Sequence, residues 1–315
     1  MKKSLIALAA LAFVGAASAQ SSVTLYGVVD IWVGKPEGGK VQAGSGGNGT
    51  GTMNASRWGL QGSEDLGGGL KAIFTLESGF SMANGAVGGT LFNRQANVGL
   101  EGGFGTVKLG QNWTAFDDIY GSANSGFDSA LSANGVWKNL YAYSNGNNSS
   151  NAQIYYATPT FGGISGALST KLKGNESATE LKHTAFNVKY EGGPVYIGLA
   201  YEDDKGPIAL KNTLINGFYD LGTAKLMASY YMTKPIGGIK TNSYQFGADV
   251  PVGKALTVSV GYASSKATGG KSATGFSVVT AYALSKRTTV YGGLRAANKE
   301  ATGKDLWAVG VNHKF

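Results

Sequence analysis

Between Leu70 and Phe80 the chain reads LKAIFTLESGF: Leu70, Ala72, Phe74, Leu76 and Phe80 share one parity, and Lys71, Thr75 and Glu77 share the other. A period of two belongs to a strand whose faces meet different surroundings. The rhythm returns downstream. Leu256, Val258, Val260 and Tyr262 alternate with Thr257, Ser259 and Gly261; Phe186, Val188 and Tyr190 alternate with Asn187 and Lys189; Val195, Ile197, Leu199 and Tyr201 alternate with Tyr196, Gly198 and Glu202.

The connections between such runs constrain the fold further. Short polar or Gly-rich turns fall near 65–69, 102–105, 160–163, 192–194, 220–223, 251–254 and 285–288. Longer Gly, Asn, Ser and Lys-rich segments fall near 34–54, 81–91, 111–151, 172–183, 202–214, 233–241, 264–274 and 296–304. Fifteen connections of alternating length separate sixteen strands. An even strand count with short turns at one end and long loops at the other predicts an all-β protein: a 16-stranded antiparallel transmembrane β-barrel. The oily face of each strand then points to lipid, with Phe74 and Leu76 outward and Lys71 and Glu77 toward a wet lumen. A soluble sandwich or lipocalin-like barrel shows the same alternation with its polar face outside, and alternation alone does not separate the two.

The ends and the composition fit export. Met1-Lys2-Lys3, the apolar SLIALAALAFVGA and the small-residue stretch ASA have the layout of a signal peptide, with cleavage expected after Ala19. Residues 1–19 are therefore set apart from 20–315, the barrel. Loss of Lys2 and Lys3 lowers the net charge from +8 to +6. Beyond that segment no apolar run reaches the roughly 18 residues of a spanning helix. The chain has no cysteine, which excludes disulfides and thiolate metal sites, and its 50 glycines without a collagen period suit tight turns.

In SSVTLYGVVD, SRWGLQGSEDLGGGLKAIFTLESGF, FNRQANVGLEGGFGTVKLGQ, YYATPTFGG and the C-terminal aromatic, the chain resembles the Gram-negative general porins, most closely those of betaproteobacteria and neisseriae. The resemblance covers nearly all of 20–315. It implies an outer-membrane homotrimer, embedded in lipid and lipopolysaccharide, that passes ions and small hydrophilic solutes by diffusion. It also implies a third loop folded into the barrel, here about 112–138, and arginines on the wall facing that loop's carboxylates. Arg57 and Arg94 stand at the matching wall positions, and Asp117, Asp118 and Asp128 are the loop's carboxylates. The resemblance further implies that Phe315 is read by the outer-membrane assembly machinery.

Parity adds Asp30, Lys71, Glu77 and Lys108 as candidate pore-lining residues, with Lys225 a further one. Arg57 shares parity with Gly59, Gln61 and Ser63 and so faces inward. Arg94 shares parity with Ala96, Val98 and Leu100, which aims it at lipid, where a charge is costly; an apolar inner wall covered by the loop would reconcile this. The stretch SNGNNSSNAQIYYATPTFGG lacks the basic residue that porins often carry there, which weakens the basic cluster. Lys138 could substitute if the loop returned it to the wall. A fixed cationic wall opposite an acidic loop sets a transverse field that sorts ions by sign, and a modest anion preference is expected.

Enzyme motifs carry little weight. GSGGNG at 44–49 has no following helix to receive a pyrophosphate, and GGKS at 269–272 lacks the upstream glycine of a phosphate loop. His183, in a predicted loop, and His313 are the two histidines, and no metal or catalytic set is evident. No cofactor and no nucleic-acid partner is expected. A substrate-specific channel and, further off, a barrel enzyme remain alternatives.

Overall fold

The computed structural model describes residues 21–46, 50–137, 149–172, 182–205, 210–235, 237–301 and 303–315. The expected signal segment 1–19 and Lys138 lie outside the described residues. The described strands are β1 (Ser22–Lys35), β2 (Gln42–Gly44), β3 (Arg57–Gly67), β4 (Leu70–Gly79), β5 (Gln95–Gly102), β6 (Gly105–Trp113), β7 (Ser149–Ala157), β8 (Ile164–Lys171), β9 (His183–Gly192), β10 (Val195–Asp204), β11 (Leu210–Asp220), β12 (Lys225–Pro235), β13 (Thr241–Val252), β14 (Leu256–Ala267), β15 (Ser272–Ala283), β16 (Thr288–Ala297) and β17 (Leu306–Lys314).

Each long strand pairs antiparallel with its sequence neighbour, and β1 pairs with both β3 and β17, so sixteen strands close into a barrel. The three-residue β2 is a short ribbon on the outer end of β1. All seven expected short turns and all eight longer connections are found, although several strands run further than the alternation suggested. β10 continues to Asp204 and β11 starts at Leu210, inside the segment read as a loop. At the β3–β4 turn, Gly67, Gly68 and Gly69 all adopt positive φ (85°, 62° and 79°), a run that side-chain-bearing residues would strain.

The faces are inverted relative to a soluble protein. Leu25, Val98 and Ile197 are more than half exposed on the outer surface, while Asn97, Asn187, Asn216, Gln245 and Ser259 are buried on the inner one. Such an outer face is stable in lipid, where closed strands leave no backbone group unpaired. Apolar packing among the described residues therefore sits inside the barrel, between the third long loop and the wall. Phe116, Ile119, Tyr120 and Trp137 of the loop pack on Tyr196, Ala200, Leu214 and Tyr231, and Trp137 stacks on Tyr231 with ring centroids 5.6 Å apart.

The seam between first and last strands is doubly fastened. The backbone amide of Gly27 donates to the carbonyl of Phe315 and that of Phe315 donates back, both at 3.1 Å, and the Phe315 ring lies over the space a Gly27 side chain would fill. Asp30 does not line the pore, as parity had suggested. It is fully buried, and its carboxylate accepts from Thr52 (2.8 Å), Tyr291 (2.7 Å), the Asn54 amide (3.1 Å) and Asn312 (2.9 Å). Parity assigned its face correctly, but the first long loop covers it. Asp30→Ala would leave those donors without their acceptor; we expect a loss of about 3 kcal/mol, read as a lowered urea midpoint of the refolded protein, with Asp30→Asn intermediate.

Candidate functional site

Two unlike walls carry the candidate charges inside the barrel. On one, Arg57 opens β3 and Arg94 lies one residue before β5, and both meet Glu77 of β4. Arg94 Nε donates to Glu77 Oε1 at 2.6 Å, while Arg57 Nε lies 3.6 Å from Oε2. The Tyr26 hydroxyl also donates to Glu77 at 3.0 Å, and the Arg94 guanidinium sits over the Trp113 ring at 4.8 Å. Two cations thus share one carboxylate, leaving a net charge of +1. Charge-assisted bonds and ring stacking hold the guanidinium groups in fixed orientations.

Arg94 reaches the lumen for a reason different from the one the sequence suggested. Val98 and Leu100 face outward and are exposed, so no apolar inner wall exists there. Arg94 escapes their parity because it belongs to the bend that enters β5, where alternation does not yet apply.

The other wall carries the inserted loop, which leaves β6 after Trp113 and runs along the inside of β8 to β16. Polar side chains on successive strands grip its backbone. Ser169 of β8 accepts the Ala115 amide (2.9 Å), Asn216 of β11 donates to the Ile119 carbonyl (2.6 Å), and Ser229 of β12 and Gln245 of β13 donate to that of Ala123 (3.1 and 2.9 Å). Ser259 of β14 accepts the Gly126 amide at 2.7 Å. Gly247 and Gly261 leave the room that Ser125 occupies, since a side chain at either would collide with it. At the far end Arg295 of β16, almost wholly buried, donates to the carbonyls of Ala130 (3.1 Å) and Ser132 (3.3 Å) and pairs with Glu37 of the first loop. This row was missed in the sequence, although Arg295 does share parity with Tyr291, opposite Leu294.

The loop's carboxylates meet the lumen. Asp117 and Asp118 lie in α1 (Asp117–Tyr120), and Asp118 accepts from the Tyr155 hydroxyl (2.7 Å) and Asn187 (3.2 Å). Asp128 accepts from Asn124 at 2.7 Å within a turn where Phe127 and Asp128 both have positive φ. The enclosing barrel disfavours the charged carboxylate and raises both Asp118 and Asp128 to about 6; for Asp118, Tyr155, Lys108, Asn187 and Lys189 pull the other way. Both side chains are reached by lumen water, which favours their ionised form at neutral pH. Among the described residues no ion pair joins Arg57 or Arg94 to Asp118 or Asp128.

The remaining candidates spread along the lumen. Lys108 stands over the Tyr155 ring at 5.5 Å, beside Asp118, and Lys189 reaches the same carboxylate from β9, a contribution the sequence reading overlooked. Lys71 lies exposed at the short-turn end in register with Asp65 and Glu101, away from the arginines. Lys225 sits over Phe218 at 4.9 Å. His183 is not in a loop but opens β9, buried, with its Nε2 against Glu202, while His313 bonds Thr288 at 2.9 Å near the seam. Lys138 lies outside the described residues.

Comparison with known proteins settles the family. The sequence profile described as Gram-negative porin matches residues 5–302. The chain belongs to the Gram-negative porin family. It is 38% identical to outer membrane porin protein 32 of Delftia acidovorans, over 99% of this chain and 94% of that one. It is 32% identical to an outer membrane porin of Bordetella pertussis, over the full length of both. Among solved structures, an anion-selective porin from Comamonas acidovorans superposes with a TM-score of 0.78 at 30% identity, covering 94% of this chain and all of that one. The protein is thus an outer-membrane porin, and its relatives are channels rather than enzymes.

The Asp118 environment generates a pH dependence for this porin. Protonation removes negative charge from the lumen, so the reversal potential in a salt gradient should move toward anions as pH falls from 7.5 to 5. Asp118→Asn should already be shifted at pH 7.5 and respond less to acid; an unaltered pH response would exclude Asp118 as its source.

Proposed function

We propose that this porin is a general diffusion channel for ions and small hydrophilic solutes with a modest preference for anions, set by Arg57 and Arg94 acting together. The observation that carries this is their sharing of Glu77, which fixes both guanidinium groups yet neutralises only one. Arginine suits the task because its charge persists at every relevant pH. The preference is modest because Asp117, Asp118 and Asp128 outnumber the nearby Lys108 and Lys189 and offset the single surplus charge of the arginine wall, which leaves the sign to the placement of the arginines. The relative from Comamonas acidovorans, described as anion-selective, supports the sign.

The working form is a homotrimer in the outer membrane, reached after removal of residues 1–19. Solved porins of this fold include one described as a trimer, from Vibrio cholerae. Phe315 serves assembly, because its ring and backbone complete the seam at Gly27 and its position on the outer face leaves the ring accessible to the assembly machinery.

Two experiments test these assignments. Arg57→Ser combined with Arg94→Ser should reverse the salt-gradient potential from the anion to the cation side, because Glu77 then stands uncompensated; an unchanged potential places the filter elsewhere. Deleting Phe315 should lower the yield of folded oligomer in cells several-fold while protein refolded in detergent still conducts, and normal yield would refute the assembly role.

A further inference from the structure

Apart from the arginine wall, a second group of charges inside the barrel keeps bonding capacity that the chain does not use. Asp118 accepts from the Tyr155 hydroxyl at 2.7 Å and from Asn187 at 3.2 Å, and both donors bind the same oxygen, Oδ2. A carboxylate has about four acceptor positions. Among the described residues nothing donates to Oδ1, and Asp118 is exposed.

Two ammonium groups flank that carboxylate. Lys108 of β6 lies opposite Tyr155 of β7 and stands over its ring at 5.5 Å. On β9 the buried Ala185 and Asn187 point inward, and Lys189 follows them at the same parity. Both lysines act on Asp118 through space, and neither forms an ion pair among the described residues. Between them β8 presents Ser165 and Ala167, small and half-buried, with Lys189 in register opposite Ser165. The wall is therefore low between Tyr155 and Lys189, a recess with an ammonium group on either flank and a carboxylate on the loop beside it.

This recess lies apart from the arginines. Arg94 sits over Trp113 at the long-loop end of β6, and Lys108 lies about 16 Å along that strand toward the short turns. Glu191, the next inward residue of β9, is exposed about 7 Å beyond Lys189 at the turn. The recess thus presents two positive groups and one negative group. A bare anion answers the lysines but is repelled by Asp118, and a bare cation meets the reverse. A solute with two carboxylates and one ammonium group satisfies all three.

We propose that Lys108, Lys189 and Asp118 form a binding site for acidic amino acids on the short-turn side of the arginine wall. The solute's carboxylates meet the two lysines, and its ammonium group donates to Asp118 Oδ1. Each contact is a charge-assisted hydrogen bond, the stronger kind. Tyr155 and Asn187 hold the carboxylate in position from its other oxygen, and the long lysine stems adapt to the carboxylate spacing of aspartate or glutamate. The site rests on the proposed diffusion channel, which brings the solute to it.

Isothermal titration of the detergent-purified porin at pH 7.5 with glutamate and with glutarate, which keeps both carboxylates but lacks the ammonium group, tests this beside single-channel recording. Wild-type protein should bind glutamate about tenfold more tightly than glutarate, the worth of one hydrogen bond between charged groups, although glutarate carries the larger negative charge. Asp118→Asn should weaken glutamate and strengthen glutarate, a pair of opposite changes that general damage to the fold does not produce. K108Q/K189Q should weaken both solutes. Equal or tighter binding of glutarate by the wild type, an unaltered glutamate preference in Asp118→Asn, or unaltered affinities in K108Q/K189Q would overturn the site. A wild-type protein that prefers glutamate as expected but carries no salt current would instead count against the diffusion channel and leave the site standing.

Discussion

The pairing of β1 with β17 is the interaction on which the rest depends. A sheet of this length in lipid tolerates no free edge, since an unpaired amide or carbonyl there has no water to turn to. Closure also creates the two environments that the alternation answers, lipid outside and water inside. The chain reinforces the seam on both faces. Outside, Phe315 lies over Gly27; inside, Asp30 of β1 ties Tyr291 of β16, Asn312 of β17 and the first long loop to one buried carboxylate. A carboxylate with four donors is satisfied without a counter-ion, so the seam is held without placing a bare charge near the membrane.

Closure by itself would leave a wide bore, and the inserted loop turns it into a selective one. The loop needs a reason to stay inside, and it has two of different kinds. Aromatic anchors at Phe116, Tyr120 and Trp137 bury apolar surface against Tyr231 and its neighbours. Single polar side chains from one strand after another then fix its backbone register, ending at Arg295. Because the loop's own backbone supplies the partners, its aspartates remain available to the lumen. The wall residues that hold the loop thus fix where its aspartates stand.

The strands, their order and the seven short turns were legible in the sequence because the period of two and the connection lengths are local properties. What was not legible depended on what lies against a residue. Asp30 and Arg57 obey the same inward rule, yet one is sealed under a loop and the other faces the pore; parity specifies a face, never a cover. Arg94 was misjudged because alternation was extended one residue past the strand. His183 and the flanks of β10 and β11 looked like loop because polar residues occupy both faces there, Glu202, Asp204 and Asn212 inward and Asp203 and Lys211 outward, which hides the alternation. Lys189 and Arg295 had the right parity and were overlooked, since nothing local distinguishes a lysine beside Asp118 from one in a vestibule.

The charge layout explains why the whole chain's positive balance is a poor guide to permeation. Many lysines sit on the outer rim, where the surrounding electrolyte screens them beyond about 8 Å at physiological salt. Inside, Arg57 and Arg94 both pair with Glu77, and the loop carboxylate Asp118 is held apart from them by Tyr155 and Asn187. In the proposed filter a passing ion near the arginines would meet a surplus of a single charge, so that placement rather than total charge would set the sign. The same arrangement sets the size of the effect. Glu77 holds the guanidinium groups in place and in doing so removes half of their field, so the channel trades strength of selection for a fixed, persistently wet filter.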